Sequence, residues 1–285
     1  VRRLAALIAA LAAPAGAAMI EDCEALVSRL PVEVETVDAV AGVCVLGEVR
    51  WGVAPATWRA ARVTLGGDVD ALPDALPRRL SGGVTGLMID PVVEEMPGLA
   101  WLMRQQAHPG MSLGFDATSE GGVLRVNAFR FAMDETNELT LTARIAGVPE
   151  VWPVDPVAVA AITVQALDVE IAFDGMFEAL LLLPLGSALL DLTVPAEPQV
   201  AALRTQAEVA LDGFAAAGQA EAAAEARAFV DALPHPRGVL ELRLGGRGIA
   251  ALQTGAALAG GLTPDFAARV AEAAELELFW TPDAP

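Results

Sequence analysis

From Met111 onward, apolar and polar positions alternate along the chain. Met111, Leu113 and Phe115 share one side before Glu120-Gly121-Gly122 turns the chain. Leu124, Val126 and Ala128 then alternate with Arg125 and Asn127, after which Phe129, Phe131 and Met133 carry the apolar side. That slip of phase predicts a bulge near Ala128, because an extra residue is what returns the apolar set to one face. Glu135-Thr136-Asn137 forms the next turn, and Leu139, Leu141, Ala143 and Ile145 alternate with Thr140, Thr142 and Arg144. A period of two between turn residues predicts a three-stranded antiparallel meander with one apolar face. A further strand is predicted over 162–173, with Leu167, Val169, Ile171 and Phe173 inward and Asp168, Glu170 and Asp174 outward. Leu240, Leu242 and Leu244, and then Leu276, Leu278 and Trp280, predict two more.

The first third is less regular. Residues 21–30 read as a short helix stopped by Pro31. An extended stretch over 32–51 is broken at Gly42 and Gly47, and a short strand over 62–65 ends at Gly66-Gly67. Ser81-Gly82-Gly83 reads as a turn, 87–89 as a short strand and 99–106 as a short helix. Later, 176–183 reads as a helical or buried segment before Pro184, and 220–233 as a helix ended by Pro234-His235-Pro236. Thr263-Pro264-Asp265 reads as a helix start, with Phe266 and Val270 on its apolar side.

A strand-glycine-helix unit recurs irregularly, as in Val169–Gly175 followed by Phe177–Leu180, and in Leu242–Gly246 followed by Ala250–Leu252. If Glu208–Gly213 is another copy, 206–212 is a strand. If Val200, Leu203, Ala207, Leu211 and Phe214 form one face, 198–214 is a helix. Both readings stay open at this point. The expected fold is α+β: long, twisted antiparallel sheet with short helices packed on one face. A soft division near 149–156 suggests an N-terminal half over 19–150 and a C-terminal half over 151–285, packed together or forming one continuous domain.

The start of the chain changes where this fold is expected to work. Arg2-Arg3, an apolar run from Leu4 to Ala13, and small residues up to Ala18 have the three parts of a cleavable signal peptide over 1–18. Export to a periplasm is therefore expected, and the apolar run is too short to span a bilayer. No transmembrane segment is expected in the mature chain. Cys23 and Cys44 are the only cysteines. An even count in an oxidising compartment predicts a disulfide between them, tying the first helix to the first strand region.

The formal charge is −19, and every basic residue is arginine. Such a surface repels phosphate backbones, so no nucleic-acid partner is expected. Residues that carry chemistry are scarce. His108 and His235 both adjoin prolines and read as turn residues, and no serine elbow or zinc-ligand spacing is present. Gly245-Gly246-Arg247-Gly248 lacks the end of a phosphate loop. Asp134-Glu135-Thr136-Asn137 reads as a solvated turn rather than a cation site. Glu94-Glu95 near Trp101 is the one adjacent carboxylate pair weighed for glycoside or peptidoglycan hydrolysis. No cofactor, metal or enzymatic activity is expected.

What remains is apolar strand surface. The candidate ligand-facing residues are Leu113, Phe115, Phe129, Phe131, Leu139, Leu141, Leu167, Val169, Ile171 and Phe173. The first expectation is an interaction or assembly scaffold in the envelope, partnered by another envelope protein. The alternatives are binding or transfer of a lipid or other extended apolar ligand in a sheet-lined groove, and a hydrolase using a carboxylate pair.

The segments VEIAFDGMFEAL from Val169 and PRGVLELRLGGRGIAAL from Pro236, with NELTLTARIAGVP from Asn137, resemble parts of uncharacterised Gram-negative periplasmic families. These are the DUF2125 and DUF945 groups and, more distantly, the AsmA-like envelope proteins. The resemblance covers about residues 20–285 and implies an exported protein of repeated amphipathic strands. The AsmA-like group is associated with outer-membrane integrity and phospholipid traffic, which supports the lipid alternative. The start here looks cleavable, and the chain is shorter than the bridge-like members of that group. No family catalytic residue is available to carry over.

Overall fold

The computed structural model describes residues 22–53, 56–72, 74–91, 110–149, 161–191, 193–246, 248–250 and 274–283. It is an α+β fold on a large, twisted antiparallel sheet. Its eleven strands are β1 (Thr36–Val40), β2 (Val43–Val53), β3 (Ala56–Gly67), β4 (Arg79–Pro91), β5 (Met111–Glu120), β6 (Val123–Ala132), β7 (Glu138–Ala146), β8 (Thr163–Asp174), β9 (Arg237–Gly246), β10 (Ile249–Ala250) and β11 (Ala274–Pro282). They lie in the order β1-β2-β3-β4-β5-β6-β7-β8-β9-β11, and β10 pairs with β8. The chain divides into two compact units: Val1–Glu120 with Asn127–Ala132 and Glu150–Pro153, and Gly121–Val126 with Met133–Pro149 and Val154–Pro285.

In the first unit a helix over 22–29, α1, precedes the strands. Its Cys23 is bonded to Cys44 of β2, with the Cα atoms 5.6 Å apart. The helix is thus tied to the first long strand, as the cysteine count predicts. Cys23, Leu26, Cys44 and Val69 form a buried cluster, with Leu30, Val37, Leu65 and Leu80 packed against it. Register explains why these strand residues meet: Ala39, Cys44 and Leu65 lie opposite one another across β1, β2 and β3. The turn from β1 to β2 places Ala41 and Gly42 at φ +50° and +85°, the paired positive φ of a tight two-residue hairpin. Further along β2, the buried positions pass from Cys44 and Leu46 to Val49. The inward phase therefore slips at Glu48, whose φ is also +50°.

Two expectations are corrected here. Ser81-Gly82-Gly83 is the interior of the long strand β4 rather than a turn, and the short strand over 87–89 is that strand's far end. The glycines are used for close approach. A Cβ on Gly82 would stand 2.8 Å from the Phe115 ring and 2.5 Å from the Thr64 carbonyl oxygen, so the ring lies where a side chain would have been.

In the second unit β7, β8, β9 and β11 pair in sequence. A π-helical turn (Phe177–Leu181) leads into α2 (Leu182–Leu189). The helical run continues beyond Pro184, and the π turn lies just before this proline, where a locally opened backbone tolerates a missing N–H. α3 (Ala196–Ala216) and α4 (Ala220–Ala232) follow. Residues 198–214 are thus helical, and the strand reading of 206–212 fails. The segment holds no proline or glycine between Gln199 and Asp212, and its alanines favour helix. The Arg227 guanidinium of α4 donates to Glu208 and Asp212 of α3. Ala222 and Ala223 are buried, and small side chains there let α4 approach closely.

On β6, exposure alternates to Asn127, repeats at Ala128, and resumes with Phe129 and Phe131 half-buried. The expected phase slip is therefore present. Residues 99–106 and the helix predicted from Thr263 lie outside the described residues.

Candidate functional site

Three rows of side chains share one face of β7, β8, β9 and β11. In the first, Leu139, Ile171, Leu240 and Trp280 are directly opposite one another; in the second, Leu141, Val169, Leu242 and Leu278; in the third, Ala143, Leu167, Leu244 and Leu276. Every strand contributes alternate residues, so the period of two seen in the sequence becomes a lattice.

One end of this face is sealed. Phe173 and Trp280 are 3% and 7% exposed. Phe229 of α4 meets Trp280 edge-on at 5.1 Å and Phe173 at 5.7 Å, while Phe177 of the π turn meets Phe173 at 6.4 Å. Glu225 of α4 also accepts the backbone N–H of Trp280 at 3.0 Å, satisfying a donor on strand β11. Leu139, Ile171 and Leu240, the other residues of the first row, are half-buried. All eight side chains of the second and third rows are half-buried. Stripping water from so many apolar groups without sealing them leaves surface that a ligand can still bury.

The reverse face is polar. Thr142, Asp168, Arg243 and Glu277 lie opposite one another in a single row. Arg243 pairs with Glu241 at 3.0 Å, Glu277 at 3.7 Å and Asp168 at 3.9 Å, and its guanidinium lies 5.7 Å from the Phe279 ring centroid. These contacts are exposed and contribute little stability, but they keep this face wet and fix which face is apolar.

The ten candidate ligand-facing residues therefore separate. Leu139, Leu141, Leu167, Val169 and Ile171 join the lattice, half-buried, and Phe173 lies in its sealed end. Leu113, Phe115, Phe129 and Phe131 belong to the first unit and are also half-buried. The equally regular positions on β9 and β11 complete the lattice. Their alternation was legible in sequence, but the placing of β9 beside β8 and of β11 beside β9 was not.

Two polar clusters lie near the sealed end. Asn137 is 4% exposed. Its Oδ1 accepts the N–H groups of Asp174 and Met176 at 2.8 Å each, and its Nδ2 donates to the Asp174 carbonyl and to the Asp134 carboxylate. Burial pushes the Asp134 carboxyl up, but the Thr136 N–H, the Asn137 amide and the Thr136 hydroxyl outweigh it and hold the group below its ordinary value. The Asp134–Asn137 turn is thus closed on itself and bonded to the end of β8.

In the second cluster, Glu178 Oε1 lies 2.9 Å from His235 Nδ1 and accepts from Arg237 Nη1 at 2.8 Å. Burial raises the Glu178 carboxyl, and the hydrogen bonds from His235, its own backbone and Arg237 more than reverse that. His235 is a turn residue, as its flanking prolines suggest, and the turn is pinned to the π helix by this carboxylate.

Sequence reasoning gave no sign of one concavity in the first unit, an open cavity of about 540 Å³ lined by Leu30, Pro31, Val32, Glu33, Arg50, Trp51, Gly52 and Thr57. Trp51 stacks on Trp58, directly opposite on β3, with centroids 6.2 Å apart. Among the described residues no group of three His, Cys, Asp or Glu side chains is placed to hold a metal, and no helix is long and apolar enough to cross a membrane. Glu94, Glu95, Trp101, His108 and Arg247 lie outside the described residues. No family model matches the chain, and no curated protein matches it.

Proposed function

We propose that this chain is an exported envelope protein that binds a lipid or another extended apolar ligand against the half-buried part of the β7-β8-β9-β11 face. One observation carries the reading: the second and third rows of the lattice are wholly apolar and half-buried, beside a first row whose end is sealed by α4 and the π turn. At strand spacing each row is about 14 Å long, and the rows are about 7 Å apart. An elongated apolar molecule lying across the strands fits that strip better than a compact polar one. The acidic surface and the expected signal peptide are consistent with a periplasmic role that avoids nucleic acid. The resemblance to AsmA-like proteins points in the same direction.

An assembly scaffold is the first expectation from sequence, but the lattice favours the ligand reading over it. The one carboxylate pair weighed for hydrolysis lies outside the described residues, so nothing in the described geometry favours that alternative.

Displacement of a fluorescent fatty acid tests the proposal. Leu242→Asp puts a charge at the centre of the second row and is expected to weaken probe binding more than about tenfold. Thr142→Asp, on the reverse face, leaves binding unchanged. Because an aspartate at 242 can also unfold the sheet, Leu244→Asn serves as the milder variant, with near-ultraviolet circular dichroism reporting the fold. Equal probe binding by folded Leu244→Asn and the parent protein would sink the proposal.

A further inference from the structure

Helix α2 presents the wrong face to water. Leu182, Leu185 and Leu189 are 40%, 43% and 59% exposed, and Leu181, the last residue of the π turn before it, is 36% exposed. At 100° per residue these four fall within an arc of about 100°, and the exposed Ala188 lies at the edge of that arc. A surface helix ordinarily turns such a stripe inward. The connection from α2 to α3 is braced by side-chain hydrogen bonds. The Asp191 N–H donates to Gln199 Oε1 at 2.8 Å, Gln199 Nε2 donates to the Asp191 carbonyl at 3.0 Å, and Asp191 Oδ1 accepts the Thr193 N–H at 2.9 Å.

We infer that this stripe docks onto the surface of an electrically neutral, zwitterionic lipid bilayer. Two observations choose that occupant. The first is area. The four leucines leave roughly 300 Å² of apolar surface in water, a patch of functional size for a monomer. A stable pairing with a second copy needs roughly 800 Å² per partner, which this stripe does not supply. A short apolar helix lying in a bilayer interface needs only the apolar side that it exposes.

The second observation is charge. Between Gly175 and Leu203 the chain carries Glu178, Asp191 and Glu197 and no basic residue, in a protein of charge −19. An anionic leaflet repels such a helix, so apolar insertion drives docking and anionic lipid opposes it. Most interfacial helices bring Lys or Arg to the headgroups and show the opposite lipid dependence.

This inference goes beyond the ligand reading and does not depend on it. The test is flotation of the full chain with phosphatidylcholine vesicles, and with vesicles in which phosphatidylglycerol replaces part of that lipid. The chain is expected to float with the neutral vesicles and to release as the anionic fraction rises. The double variant Leu185→Glu/Leu189→Glu alters two exposed positions, so the fold survives, and binding falls at least about tenfold. Leu244→Asn leaves flotation intact even if it abolishes probe binding, which separates the two proposals. Failure to float with neutral vesicles, stronger binding to anionic ones, or unchanged flotation of the double variant would each overturn the inference. So would a dimer in sedimentation that the double variant dissociates, since it would assign the stripe to a second copy.

Discussion

Replacing Asn137 with alanine removes six side-chain hydrogen bonds at one point, the longest being its 3.3 Å bond to the Thr136 hydroxyl. The N–H groups of Asp174 and Met176 lose their 2.8 Å acceptor, and the Asp174 carbonyl loses a donor at 3.1 Å. The Asp134 carboxylate loses donors at 3.0 Å to both oxygens. Only the Met176 N–H lies in a fully buried setting, so it bears the larger cost, about 1–3 kcal/mol for an unsatisfied group. Groups nearer the surface recover water and cost about 1 kcal/mol or less each, and the bonds to a charged carboxylate lie at the upper end of the usual range. The expected loss is about 3–5 kcal/mol, a large part of the stability of an ordinary domain.

Urea denaturation, compared at constant slope, measures this loss. Asn137→Asp tests the geometry more finely. It keeps the acceptor for the two N–H groups but sets a second carboxylate against Asp134. The Asp134 carboxyl is held below its ordinary value in the folded protein, so its contribution is complete above the unfolded-state pKa and fades as pH falls through the folded one. The Asn137→Asp defect should therefore grow as pH rises out of the acid range and both groups ionise. A loss under about 1 kcal/mol for Asn137→Ala, or a pH-independent defect for Asn137→Asp, would show that the turn is held by something else.

Glu178→Gln keeps the side chain's shape but weakens its bonds to His235 and Arg237. Because the folded Glu178 pKa is depressed, its stabilising effect is present above the ordinary carboxylate range and lost below it. The urea midpoints of parent and variant should converge as pH is lowered, and a constant gap would contradict this. Cys23→Ser/Cys44→Ser opens a loop with a sequence separation of 21 and is expected to cost about 3 kcal/mol. Thermal melting with and without reductant measures it, and the double variant should be insensitive to reductant.

The meander and the later strands were legible because nearly every inward position is a large apolar residue and nearly every outward one is polar or charged. Leu139 to Ile145 and Leu167 to Phe173 allow only one face to be buried. Most of β4 escaped notice because Gly82, Gly83 and Gly86 interrupt its apolar positions, and local reading assigns such glycines to turns. Their role becomes visible only when Phe115 of the neighbouring strand is placed over Gly82. Residues 198–214 were ambiguous because alanine fits both periods, and the pairing of Arg227 with Glu208 and Asp212 shows what holds them as helix. The lattice joins residues more than a hundred positions apart, from Leu141 to Leu278. Each strand announced its own inward side, but strand order and register came only from the fold. The outward stripe of α2 could not be read at all, since Leu181 to Leu190 is apolar on nearly every side and period alone does not say which side faces water.

Native mass spectrometry of the protein purified under mild conditions, followed by lipid extraction of the same sample, tests the ligand-binding proposal most directly. The account predicts a reproducible bound mass identified as a phospholipid or fatty acid, retained by Thr142→Asp and lost from folded Leu244→Asn. A ligand-free protein that also fails to take up added fatty acid would contradict it and return the half-buried lattice to an unliganded packing surface.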